Sequence, residues 1–139
     1  MAILNNFSYF VFDFAGSGLS DGRYISLGYY EVDDIAAVIN FITRSLDDEI
    51  KIVLWGRSMG AVTGIYQFMQ ALRYLMGNKK KNIVVSVLDS PFQSLKELFL
   101  EIGKQKTSFP RLVLEMALKY IKPIIKKKAN FYIEDVNLN

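Results

Sequence analysis

The residues best placed to do chemistry are Gly56-Arg57-Ser58-Met59-Gly60. Glycines two positions either side of a serine suit a tight turn that joins a strand to a helix. Such a turn lifts the serine Oγ clear of the sheet. The helix leaving it points its N-terminus at the charge that develops on an attacked carbonyl oxygen. The chemistry is nucleophilic acyl transfer, with Ser58 attacking and the backbone N–H of Met59 holding the oxyanion. A serine hydroxyl needs a base to take its proton, ordinarily a histidine. The chain has 139 residues and no histidine. The motif therefore names a reaction whose usual base is missing.

The same spacing occurs at Gly18-Leu19-Ser20-Asp21-Gly22. Context separates the two copies. Ile52-Val53-Leu54-Trp55 is a short apolar run entering the Ser58 motif, and a helical apolar stripe begins at Ala61-Val62. At Ser20 the preceding aromatic run has ended at Phe14, and no helical pattern follows Gly22. Ser20 is read as an incidental serine in a glycine-rich turn. Gly16, Gly18 and Gly22 also loosely suggest a dinucleotide-binding turn, but that fingerprint needs other spacing and a helix starting at the glycines.

The elements that must position Ser58 are legible from periodicity. Tyr9–Phe14 reads as a buried strand and residues 15–28 as a loop. A helix from about Tyr29 places Val32, Ile35, Val38, Ile39 and Ile42 on one face, opposite Asp33, Asp34 and Asn40. Lys51–Trp55 is a second strand. The next helix carries Ala61, Ile65, Phe68, Met69, Leu72 and Met76, and Gly77 and Asn78 end it. Ile83–Leu88 is a third strand. Ser94 and Glu97 have capping-box spacing ahead of Leu95, Leu98, Phe99 and Ile102. A last helix starts near Pro110 with Ser108 as its cap, and Pro123 should end or kink it. Continuous apolar strands between amphipathic helices imply a parallel sheet covered on both faces.

Taken together, these segments resemble a known family. Phe12-Asp13-Phe14-Ala15-Gly16-Ser17-Gly18-Leu19-Ser20-Asp21-Gly22 is similar to the loop after the fourth strand of α/β-hydrolases of the serine aminopeptidase S33 type. Trp55–Gly60 resembles that family's nucleophile elbow, and Leu88-Asp89-Ser90-Pro91-Phe92 the end of its sixth strand. The resemblance spans roughly residues 9–102. It implies that Ser58 is the nucleophile, that Met59 is the elbow oxyanion donor, and that Asp13, Gly16 and Gly18 shape the neighbouring loop. Asp89 matches a strand-end residue, read either as a turn or cap residue or, more weakly, as the acid of a triad. The family's His-Gly loop, its usual acid and its histidine base have no counterpart here.

The expected fold is therefore α/β: a partial α/β-hydrolase fold with a three-stranded parallel sheet, order 1-2-3, flanked by helices. It forms a single incomplete domain over residues 1–139, with a core at 9–102, cap or lid helices at 108–128 and a tail at 129–139 that leads elsewhere. If a neighbouring strand is missing, Tyr9–Phe14 either keeps unpaired backbone groups or slides against Lys51–Trp55. The second arrangement is expected, with exposed edges and a tendency to aggregate.

Composition bounds the remaining choices. Half the residues are hydrophobic (51%) and there is no cysteine. Disorder and thiolate chemistry are thereby excluded. No cofactor or metal is called for. No secretory signal or membrane-spanning run is evident, and a reducing, cytoplasmic setting is expected. The net charge of +3 divides unevenly, with 4 basic and 8 acidic side chains in residues 1–60 against 13 and 6 in residues 61–139. The excess concentrates in Lys79–Lys81 and Lys126–Lys128. Runs this short lack the long aromatic-interleaved stripe of a nucleic-acid binder. The leading expectation is a truncated serine hydrolase acting, when completed, on a small-molecule or peptide acyl substrate (ester, thioester or amide) and inactive alone. A non-catalytic binding module is the alternative, and a piece that lies on a membrane surface through the basic, apolar Leu112–Lys128 is the third.

Overall fold

The computed structural model describes residues 7–46, 50–75 and 83–139. The element order is α1 (Glu31–Ser45), β1 (Ile52–Arg57), α2 (Met59–Leu75), β2 (Ile83–Asp89), α3 (Leu95–Lys106) and α4 (Arg111–Ala129), then a 3₁₀ turn at Ile133–Asp135. The architecture is mixed α/β. The ends of the second predicted helix, at Met76, Gly77 and Asn78, and the Lys79–Lys81 run lie outside the described residues.

Among the described residues the sheet has two strands, β1 and β2, paired in parallel through the α2 crossover. The third expected strand does not form. Tyr9–Phe14 joins no sheet, because aromatic β-propensity gives a strand only where a partner offers ladder hydrogen bonds. The segment is held against α1 instead. Phe10 packs on Phe41 with ring centroids 6.3 Å apart, and Ala15 N–H donates to Asp34 Oδ2 at 2.9 Å.

Alternation along the strands decides the two faces. Ile52, Leu54 and Gly56 of β1 and Ser86 and Leu88 of β2 point into the molecule toward α2. Packing there is close, since a Cβ on Gly64 would lie 2.7 Å from Leu88 Cδ2. The register pairs Val53 with Val85, Trp55 with Val87 and Arg57 with Asp89. All six of these residues are exposed, Trp55 at 73%. Among the described residues the expected cover on both faces is thus present on one face only.

The main core lies away from the sheet. Val62 of α2, Leu95 and Leu100 of α3, Leu118 of α4, and Phe131, Ile133 and Val136 close on one another. Residues 131–139 do not lead away: Leu95 N–H donates to the Val136 carbonyl at 3.0 Å and Leu138 N–H to the Gln93 carbonyl at 2.9 Å. The Tyr66 hydroxyl donates to the Asn137 carbonyl and accepts from the Asn137 N–H, at 2.8 and 2.7 Å. Burial there pushes its pKa up, against the lowering effect of the hydrogen bond from Asn137.

The helix boundaries follow local chemistry. Ser94 caps α3 as expected, its Oγ accepting from Glu97 N–H at 3.2 Å. The Glu97 carboxylate does not reach back to complete a capping box; it takes both of its oxygens to Arg111 Nη2, at 3.0 and 3.1 Å, and so ties α3 to α4. Ser108 is not the cap of α4. Pro110 occupies that place without a side-chain bond, its carbonyl accepting from Val113 N–H at 3.0 Å. Nor does Pro123 end α4, which continues to Ala129 and stops at Asn130 in a left-handed conformation. Packing of Leu118 and Ile125 on the core secures the helix on both sides of the proline. At α1 the sequence reading missed Glu31, whose buried carboxylate accepts from Ser26 N–H, Ser26 Oγ and Gly28 N–H.

Candidate functional site

Ser58 is the single residue between the end of β1 at Arg57 and the start of α2 at Met59. Its φ is +50°, a left-handed backbone that a residue with a Cβ adopts at a cost of about 1–2 kcal/mol. Three hydrogen bonds fix the turn: Ser58 N–H donates to the Asp89 carbonyl at 2.9 Å, and Ala61 and Val62 N–H donate to the Ser58 carbonyl, each at 3.0 Å. The serine is solvent-exposed at the strand end. Met59 opens α2, so its N–H belongs to the first helical turn, whose donors have no acceptor within the helix.

The flanking glycines are not equivalent. A Cβ on Gly56 would run into the Gly60 carbonyl and stand 2.8 Å from Ala61 N, so only glycine lets the strand pass so close beneath the helix. A Cβ on Gly60 would meet nothing within 4 Å. Close approach thus requires glycine at Gly56, whereas at Gly60 no segment among the described residues lies beside the added atom.

Asp89, at the end of β2, braces the elbow from the adjacent strand. Its carbonyl takes the Ser58 N–H. Its carboxylate pairs with Arg57 Nε at 3.4 Å and accepts from Ser90 Oγ at 2.7 Å. Ser90 is itself left-handed at φ +53°, so each strand of the sheet is followed by a serine in that strained conformation. Sequence reasoning found Asp89 but not its partner Arg57, which stands at a variable position of the motif. Alternation places Arg57 on the same strand face as Val53 and Trp55, but only the register between β1 and β2 sets it opposite Asp89.

The Ser20 copy has no such geometry. No helix begins until Glu31, and Ser20 Oγ donates to the Asp13 carbonyl at 2.7 Å. The Asp13 carboxylate accepts from Leu19 N–H at 3.0 Å and fills the space beside Gly18, where a Cβ would lie 2.6 Å from Oδ1. Gly16 closes the loop by donating to the Asp21 carbonyl at 2.9 Å. The loop is a self-bonded turn tethered to α1 through Ala15, consistent with a shaping role for Asp13, Gly16 and Gly18.

A shallow hollow elsewhere is lined by Lys122, Pro123, Lys126, Lys127, Tyr132 and Glu134, none of them elbow residues. Within it the Lys122 ammonium donates to the Glu134 carboxylate and holds its pKa below the usual range, against a smaller raising effect of burial. No protein-family model, curated protein or solved structure matches this chain.

Proposed function

We propose that Ser58 is the nucleophile of an α/β-hydrolase-type acyl-transfer site, of the serine aminopeptidase S33 kind, of which this chain supplies the central part. The observation that carries the reading is the left-handed Ser58 set between the last residue of a parallel strand and the first residue of a helix. A nucleophile elbow requires that arrangement. In the reaction Ser58 Oγ bonds to the carbonyl carbon of an ester, thioester or amide. Its proton passes to a base, and the carbonyl oxygen becomes an oxyanion facing the Met59 N–H.

The chain contains no histidine, so on this reading the base comes from the elements that complete the site. The open sheet face and the space beside Gly60 support a completed protein in which further elements pack there. Alone, the chain is expected to show negligible turnover, because loss of a triad member costs about 10⁴- to 10⁶-fold in rate.

The test is fluorophosphonate labelling of the purified chain, with and without added imidazole as a substitute base. Labelling is expected to be slow alone, to rise with imidazole, and to vanish in Ser58→Ala while persisting in Ser20→Ala. Adducts spread over several serines, or an Ser58→Ala variant that labels as the parent does, would overturn the assignment. Rapid labelling without imidazole would overturn the claim of inactivity.

A further inference from the structure

We propose that α4 is a membrane-surface helix that seats this protein on anionic lipid. Its inward face is committed, with Leu114, Leu118 and Ile125 packed in the core. Its outward face is apolar as well. Leu112, Met116, Tyr120 and Ile124 recur every four residues and are 68%, 66%, 79% and 45% exposed, with Val113 and Ile121 beside them. Four-residue spacing places these side chains in one continuous stripe along the helix. Among the described residues nothing packs against the stripe, so it stays exposed in the folded chain.

Charge decides what covers it. Residues 104–128 contain eight basic side chains and one acidic one. Two of the lysines fall on the stripe: Lys119 follows Leu112 by seven residues and Met116 by three, and Lys127 follows Tyr120 by seven and Ile124 by three. In a dry protein interface those ammonium groups would be buried at a heavy cost. At a lipid surface their alkyl stems lie along the apolar face while the charges reach the phosphates. Lys126, Lys127 and Lys128 fan around the end of the helix, where cations also suit the C-terminal dipole. At 19 residues, interrupted by lysines, α4 suits a position in the plane of the interface. No helix among the described residues is long and apolar enough to cross a membrane.

The test is flotation of the full chain with vesicles of phosphatidylcholine alone and of phosphatidylcholine with about a third phosphatidylserine, since anionic headgroups supply the attraction. Flotation separates lipid-bound protein from aggregate. The chain is expected to rise with the anionic vesicles and remain below with the neutral ones. Lys119→Gln, Lys127→Gln and Lys128→Gln together should weaken binding about a hundredfold, or roughly fivefold per lysine. Leu112→Ser, Met116→Ser and Tyr120→Ser together should abolish it, while circular dichroism stays that of the parent because all three sites are exposed. The proposal is overturned if the parent does not float with anionic vesicles, if it floats equally with neutral ones, or if either triple variant binds as the parent does. It is likewise overturned if the stripe variant only dissolves a dimer of a chain that never floats. Ser58 has no part in these readouts, so they stand apart from the hydrolase assignment.

Discussion

Gly56→Ala and Gly60→Ala should move stability in opposite directions, although the motif treats the two glycines alike. The added methyl at Gly56 overlaps the Gly60 carbonyl and stands 2.8 Å from Ala61 N, all of it backbone at the start of α2. Backbone cannot rotate away as a side chain can, so α2 must lift from β1. Overpacking of this sort costs about 1–3 kcal/mol or more, offset by under about 1 kcal/mol from a stiffer unfolded chain. At Gly60 the methyl meets nothing within 4 Å and sits in a helix. There alanine should gain up to about 1 kcal/mol. The pair should differ by about 3 kcal/mol, roughly 10 °C in Tm for a chain of this size. Thermal and urea unfolding followed by far-ultraviolet circular dichroism measure it. A Gly60→Ala variant as unstable as Gly56→Ala would mean that a segment covers Gly60, and the described elbow would be wrong. A neutral Gly56→Ala would mean that the turn is looser than the distances imply.

Other tests probe the packing around the site. Ile133 is 1% exposed in the core, so Ile133→Ala should cost about 2–5 kcal/mol in urea unfolding, whereas Leu19→Ala, at 99% exposure, should change little. Equal and small effects would show that residues 131–139 are a loose tail after all. Glu134→Gln removes a carboxylate whose pKa the Lys122 ammonium depresses. Because the folded pKa lies below the unfolded one, the carboxylate's contribution is full at neutral pH and is lost as pH falls through the folded value. Parent and variant should therefore differ in Tm at pH 7 and converge in acid; a gap that widens in acid contradicts the assignment.

What the sequence disclosed was what depends on neighbouring residues. The turn at Ser58, the cap at Ser94 and the start of α2 each need only a few consecutive side chains, and all three stand where the pattern put them. Failures fell where a distant partner decides. Tyr9–Phe14 has the composition of a strand, but no ladder is offered to it. Pro123 breaks helices in isolation, yet α4 persists because Leu118 and Ile125 are anchored on either side. Residues 131–139 read as a tail because Phe131, Ile133 and Val136 show no helical or strand period, and their burial depends on α2 and α3. At the candidate site, the placing of Ser58 and Met59 at the junction of β1 and α2 was legible from one motif. The brace from Asp89 and Arg57 was not, since it needs the register between two strands.

The packing of residues 131–138 also sets an order of events during synthesis. The buried cluster draws Val62 from one half of the chain and Phe131, Ile133 and Val136 from the other. A ribosome moves from the first to the last, so the elbow strand and its helix emerge well before the residues that seal the cluster. Until that segment has been made, Val62, Leu95 and Leu100 lack their cover. Nascent chains in such a state are prone to capture by chaperones and to aggregation. A stop introduced shortly before Phe131 would hold every molecule in that condition, with the elbow intact in sequence and its support never assembled.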